Sequence, residues 1–208
     1  MNEPHETPVR SRKEAILDVA TVLFAERGYD GASMNDVAGR AGMRKASLFY
    51  HFASKDALYE AVLGRLLARV AAALEEVYAG EGSFIERLDA AAEVTTGVFG
   101  SHPFAARLLV REAMDWGPAM RGGLLEKILG VLEATAEFVR AGQGAGVFVD
   151  GDPKQLVLTA LGTQVLVFAL SQLVERFAGT QPFDSGFVAS RKQAVRTHLR
   201  AVFLRSPS

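Results

Sequence analysis

Cysteine is absent from the 208 residues. That excludes disulfides, thiolate nucleophiles and every cysteine-based zinc or iron–sulfur site. It also fits a reducing compartment, and a cytoplasmic location is expected. The four histidines stand apart at positions 5, 51, 102 and 198, with no HExxH or paired-histidine spacing, so neither a metal site nor a catalytic set is expected. Gly142-Gln-Gly-Ala-Gly146 is glycine-rich, but no strand pattern precedes it and no Lys-Ser/Thr follows. It reads as a connection between helices, and no cofactor is expected. An excess of one charge is also lacking: 23 Lys and Arg face 24 Asp and Glu, a formal charge of −1. The chain as a whole is therefore not a basic nucleic-acid binder, although an average hides patches. No apolar run is long enough for a membrane. The most apolar stretch, 156–170, is interrupted by Thr159, Gly162, Thr163 and Gln164 and falls short of the roughly 20 residues a spanning helix needs. The first ten residues carry Glu3 and Glu6 and no apolar core, so no secretory signal and no membrane partner are expected.

What is present is helical periodicity. Residues 1–8, with Pro4 and Pro8 among polar neighbours, are expected to form a flexible tail. Ile16, Val19, Ala20, Leu23 and Phe24 then share one helix face, and Gly28 marks its end. Ser33 with Asp36 three residues on is an N-terminal capping pattern, followed by Val37, Ala38 and Ala41 before Gly42. A second short helix is expected from about Arg44 to Phe52. Ser54 then opens a long one carrying Leu58, Val62, Leu66 and Val70. Further on, Ser83 with Glu86, Pro103, Gly117-Pro118, Asp152-Pro153 and Asp184 punctuate more helices. No strand alternation or internal repeat interrupts this pattern. The expectation is an all-α chain of about nine helices, or ten if 119–141 breaks at Gly122-Gly123. Its divisions are a tail over 1–8, a helix-turn-helix domain over 9–53 and a larger helical domain over 54–208.

The segment 33–52 has helix-turn-helix grammar. Ala38 is small where two helices cross, Gly42 suits a sharp turn, and Met43, Leu48 and Phe52 can pack the second helix onto the first. Spacing alone equally allows an ordinary helical hairpin in a core. The second helix also presents Arg44, Lys45, Ser47, Tyr50 and His51, with Lys55 following, all able to donate to phosphates or base edges. Residues 10–55 hold eight Lys/Arg and five Asp/Glu, +3, while the rest of the chain holds 15 and 19, −4. Positive charge thus gathers in the N-terminal part alone.

Taken together, Phe24-Ala-Glu-Arg-Gly-Tyr29, Ser33 with Asp36-Val-Ala38, Ala41-Gly-Met43, Lys45-Ala-Ser-Leu-Phe-Tyr-His-Phe52 and Ser54-Lys55 resemble the DNA-binding module of the TetR-type, tetracycline-repressor-like regulators. The resemblance covers about the first 63 residues; the remainder matches only in its run of long helices. Arg44 stands where that family usually has a small Ser, and Phe49 where it usually has Tyr. The resemblance implies a homodimeric repressor on a pseudo-palindromic double-stranded DNA operator, released by a small apolar effector. It implies that Ser33 and Met34 approach the DNA backbone. Arg44, Lys45, Ala46, Ser47 and Tyr50 would face the major groove, and His51 and Lys55 would touch phosphates. The alternative is an all-α enzyme or small-molecule carrier whose helix-turn-helix-like pair is structural.

In the larger domain, residues 156–177 are apolar almost all round, and the last helix carries a stripe of Val188, Val195, Leu199, Val202 and Phe203. A helix apolar on every side must be covered on every side. The resemblance implies a homodimer through these last two helices; the other reading buries both within one chain. Phe99, Phe104, Trp116 and Phe168 are candidates to line an effector cavity. Glu112 is placed either to orient a cationic or hydroxylated ligand or to bind a neighbouring Arg. Gln164 is placed either to meet a ligand or to bond between helices.

Overall fold

The computed structural model describes residues 11–205; the expected tail over 1–8 lies outside them. Eleven α-helices run in order: α1 (Arg12–Gly31), α2 (Met34–Arg40), α3 (Lys45–His51), α4 (Lys55–Ala79), α5 (Phe84–Gly100), α6 (Ala105–Asp115), α7 (Pro118–Arg121), α8 (Leu124–Gly144), α9 (Pro153–Ala169), α10 (Ser171–Ala178) and α11 (Ser185–Phe203). The only β feature among the described residues is an isolated bridge between Phe148 and Leu204. Caps start the helices where short polar residues stand. Ser11, Ser33 and Ser83 accept from the amides of Glu14, Asp36 and Glu86, and Asp152 accepts from Lys154 ahead of Pro153 at the first helical position. Asp184 occupies the N-cap of α11 but makes no capping bond. Pro103 lies in the turn before α6 rather than in its first turn.

Two helices exceed the expected nine. Gly122 and Gly123 separate α7 from α8. The expected single helix over 153–177 is two, α9 and α10, bent by 79° at Leu170. No Gly or Pro stands at that bend, so nothing local announces it. No single helix among the described residues is long and apolar enough to cross a membrane.

The chain divides into two compact units, Met1–Val62 and Leu63–Ser208. In the first, Ile16, Ala20, Leu23, Phe24, Val37, Leu48, Leu58 and Tyr59 are buried. Tyr59 meets Phe24 edge-on at 4.8 Å and Tyr29 at 4.9 Å. The first unit therefore takes in the opening turns of α4.

In the second unit, α11 packs along α5 and α9 packs against α8, α6, α5 and α11. Val195, Leu199 and Phe203 of α11 are buried with Leu88 and Ala92 of α5. Arg196–Glu93 at 2.6 Å and Arg200–Asp89 run alongside as surface ion pairs, which add little to stability. The final helix thus spends most of its apolar stripe inside its own chain. Residues 156–177 are not covered all round within the single chain, which disfavours the reading that buries both helices inside it. Leu158, Leu161, Leu166 and Leu173 are exposed, Phe177 is 91% exposed, and α10 buries none of its side chains.

After α8 the chain folds Phe148 into the second core, edge-on to Phe138 and Phe203 at 5.6 and 5.9 Å. Its ring lies directly on Gly142, where an added Cβ would overlap it. Gly142→Ala should therefore destabilise the protein by about 1–3 kcal/mol, through overpacking. Gly130→Ala, with nothing within 4 Å of the new methyl, should stabilise α8 by about 0.5–1 kcal/mol. Thermal denaturation of the two variants should move the midpoint in opposite directions.

Candidate nucleic-acid interface

The α2–α3 pair is held by local chemistry at each joint. Ser33 and Asp36 cap α2 reciprocally: the Asp36 amide donates to the Ser33 hydroxyl at 3.2 Å, and the Ser33 amide donates to the Asp36 carboxylate at 3.0 Å. Arg27 bridges the same carboxylate at 3.1 Å, and Arg40 pairs with Glu26 at 2.8 Å. At the other end of α2, the Met43 amide donates to the Ala38 carbonyl and the Gly42 amide to the Gly39 carbonyl. This double closure needs a left-handed residue, and Gly42 supplies it with φ of 62°. Leu48 and Phe52 turn inward and are buried.

The opposite face of α3 is open. Arg44 sits at its N-cap with no side-chain capping bond. Arg44, Lys45, Ala46, Ser47, Phe49 and Tyr50 are all exposed, Tyr50 at 88%. Among the described residues Arg44 and Lys45 have no carboxylate partner, in contrast to Arg27 and Arg40. Lys45 lies over the Phe49 ring at 5.8 Å, and half-buried His51 meets Tyr50 edge-on at 5.5 Å. Lys55 sits 4.2 Å above the Tyr29 ring, whose hydroxyl donates to Asp56. That contact orients the ammonium without neutralising it. Met34 departs from its expected place. It is only 7% exposed, because it begins α2 with its side chain turned into the core. Only its backbone amide remains for an anion, beside exposed Ser33.

The six effector candidates do not gather at one place. One cavity of the second unit, of about 390 Å³, lies between α4, α5, α6, α8, α9 and α11, and Phe99 and Gln164 line it. The other four are not among its walls. Phe168 is wholly buried against Phe99 and Phe183, at 6.4 and 5.9 Å. Phe104 is the N-cap of α6, with Arg107 over its ring at 5.9 Å. Trp116 ends α6 in a left-handed turn (φ 46°) and is 53% exposed. Glu112 is buried, yet its carboxylate accepts from the Met120 amide at 2.9 Å. It caps the short α7, whose first amides need an acceptor, rather than pairing with an arginine. Leu67, Val70, Tyr78, Thr95, Val131 and Val165, which do line the cavity, were missed. Their apolar spacing is that of any core face. Thr95 beside Thr96 on an otherwise apolar helix face was the available signal.

Asp36 holds its carboxyl below the ordinary value of 3.8, chiefly through the Ser33 hydroxyl and amide and then through Arg27. A depressed folded value means the stabilisation is complete above the unfolded value and is lost as pH falls through the folded one. Asp36→Asn should therefore flatten the acid limb below pH 3.8. Ser33→Ala should cost about 1 kcal/mol at neutral pH. Chemical denaturation of both variants at neutral and acid pH measures each effect.

Residues 16–62 match the family of bacterial regulatory proteins of the tetR type. The biofilm-operon icaADBC negative transcriptional regulator IcaR of Staphylococcus aureus (strain Newman) is 50% identical over 48 residues, 23% of this chain and 26% of the relative. The chain thus matches about a quarter of the length of that relative. The transcriptional regulator RutR of Escherichia coli (strain K12) is 28% identical over 152 residues, 72% of this chain and 70% of RutR. The fold of the ketosteroid transcriptional regulator KstR2 of Mycobacterium tuberculosis superposes with a TM-score of 0.76 at 19% identity, over 95% of this chain and 97% of KstR2. AibR, solved with isovaleryl coenzyme A and operator DNA, gives 0.70 at 18% identity, over 93% of this chain and 98% of AibR. Residues 16–62 thus match the N-terminal module of the tetR family of bacterial regulatory proteins, and the rest of the chain shares the all-helical fold of these solved structures.

Proposed function

We propose that the protein is a DNA-binding transcriptional repressor, acting as a homodimer in the bacterial cytoplasm and released from a pseudo-palindromic operator by a small molecule. The observation that carries this reading is the outer face of α3, where Arg44 and Lys45 lack carboxylate partners and Tyr50 stands out into solvent. In this reading Arg44, Lys45, Ala46, Ser47 and Tyr50 enter the major groove. Ser33 and the Met34 amide, with His51 and Lys55, meet phosphates. IcaR, a negative regulator, and AibR, solved on operator DNA, support it. The alternative of an enzyme or carrier loses ground because the matched family is one of regulators.

The dimer reading now rests on α9 and α10 more than on α11. Leu158, Leu161, Leu166, Leu170, Leu173 and Phe177 are exposed on those two helices, and an apolar surface of that extent calls for a partner. A two-fold pair would place two α3 helices on half-sites about one turn of DNA apart, or a multiple of it. Coupling to the effector is assigned to α4. It is a single helix whose first turns, with Lys55, belong to the first unit, while its Leu66, Val70 and Leu74 lie in the core of the second. A coupling of about 1–3 kcal/mol suffices for a 5–150-fold change in DNA affinity.

Lys45→Ala should weaken binding to every duplex and reduce the salt slope by about one unit, as loss of one phosphate contact requires. Tyr50→Ala should cost about 1–3 kcal/mol on the preferred site. Unchanged affinity of both variants in mobility shifts across salt would remove α3 from the interface. In sedimentation, the parent chain should run as a dimer at micromolar concentration. Phe177→Glu, altering a side chain exposed in the single chain, should yield a folded monomer. A parent that is already a folded monomer would refute the dimer.

A further inference from the structure

We infer that the cavity lined by Gln164 and Thr95 takes an uncharged, largely hydrocarbon molecule with one hydrogen-bonding head group, an alcohol or a phenol, seated on those two side chains. The inference rests on reading this cavity as the effector site.

At about 390 Å³ the cavity lies near the lower end of the range for small-molecule sites, about 300–1,000 Å³. It suits one compact molecule. Its walls carry no Lys, Arg, His, Asp or Glu. A buried carboxylate, phosphate or ammonium would find no counter-charge there, and burying an unpaired ion is strongly unfavourable. Among the side chains, only Tyr78, Thr95, Thr135 and Gln164 are polar. Two of these are already engaged: the Tyr78 hydroxyl donates to Thr135 at 3.3 Å, and the Thr135 hydroxyl donates to the Val131 carbonyl at 2.8 Å. Burial pushes the Tyr78 phenol up to about 12, so that wall is neutral as well.

The other two polar groups are not engaged among the described residues. Gln164 is only 8% exposed, and its amide oxygen is buried with no hydrogen-bond partner. Thr95, on α5, is likewise only 8% exposed, and its hydroxyl makes no hydrogen bond among the described residues. Buried polar groups normally find partners, and leaving one unpaired destabilises the fold. A primary amide and a hydroxyl can together both accept from and donate to a ligand hydroxyl. The rest of the wall is aliphatic and aromatic and asks for hydrocarbon.

The test is calorimetric titration of the full chain at neutral pH with three probes of equal length: decan-1-ol, decanoate and decylammonium. Decan-1-ol should bind at least tenfold more tightly than either ion. Gln164→Leu and, independently, Thr95→Val should each weaken decan-1-ol at least tenfold. Gln164→Leu should also melt no lower than the parent without ligand, since its amide has no partner to lose. A Gln164 that merely tied helices together would give the reverse, a lower melting temperature with unchanged affinity, and would overturn the inference. So would decanoate or decylammonium binding as tightly as the alcohol, or the absence of decan-1-ol binding. None of these titrations contains DNA. Their failure would leave the repressor reading standing, and a mobility shift of the parent chain tests that reading separately.

Discussion

The second unit is organised by the way α9 divides its apolar surface. One side of this helix, with Phe168 and Ala169, is buried in a core shared with α4, α5 and α6. Val157, Gln164 and Val165, together with Leu158, Leu161 and Leu166, wall the cavity. The last three of these are also 41–51% exposed. A helix of seventeen residues with hydrocarbon on all sides cannot be satisfied by one chain, because each neighbour covers only part of its circumference. The bend at Leu170 then carries a further apolar surface on α10, none of it buried.

That division explains where polarity was tolerated. Gln164 and Thr95 face a space rather than a neighbouring helix, and the buried, unpartnered amide oxygen of Gln164 costs stability that a fully packed core would not incur. Glu112 shows the opposite solution. It is also buried, but a carboxylate beside the start of α7 finds a backbone amide, and the contact fixes a four-residue helix that has little stability of its own. Arg191 is drawn into the same kind of arrangement. Its guanidinium donates to the Thr163 carbonyl, and desolvation lowers its pKa from the ordinary value.

The first unit depends on short-range chemistry instead. Its capping box, glycine turn and ion pairs span few residues of sequence. They occupy the acidic groups near α2 and leave Arg44 and Lys45 uncompensated on α3. The positive surface is therefore a result of pairing as much as of composition: Glu26 and Asp36 neutralise two arginines that lie elsewhere on the unit. Its aromatic trio of Phe24, Tyr29 and Tyr59 ties α1 to the opening of α4 and positions Lys55.

By itself the sequence determined the all-helical class, the helix starts at Ser33, Ser83 and Asp152, the turn at Gly42, and the outward residues of α3. Each follows from backbone sterics or hydrogen bonds made within a few residues, which composition and spacing record directly. It did not reveal that Met34 points inward, that residues 153–177 bend at Leu170, or that the stripe of α11 is spent on α5. Nor did it separate cavity wall from core: Phe104, Glu112, Trp116 and Phe168 lie outside the cavity that Tyr78, Thr95 and Val131 line. Those outcomes were decided by tertiary structure, because a wall and a core have the same apolar period. Only the placement of helices distant in sequence determines which side chains meet a neighbour and which face an opening.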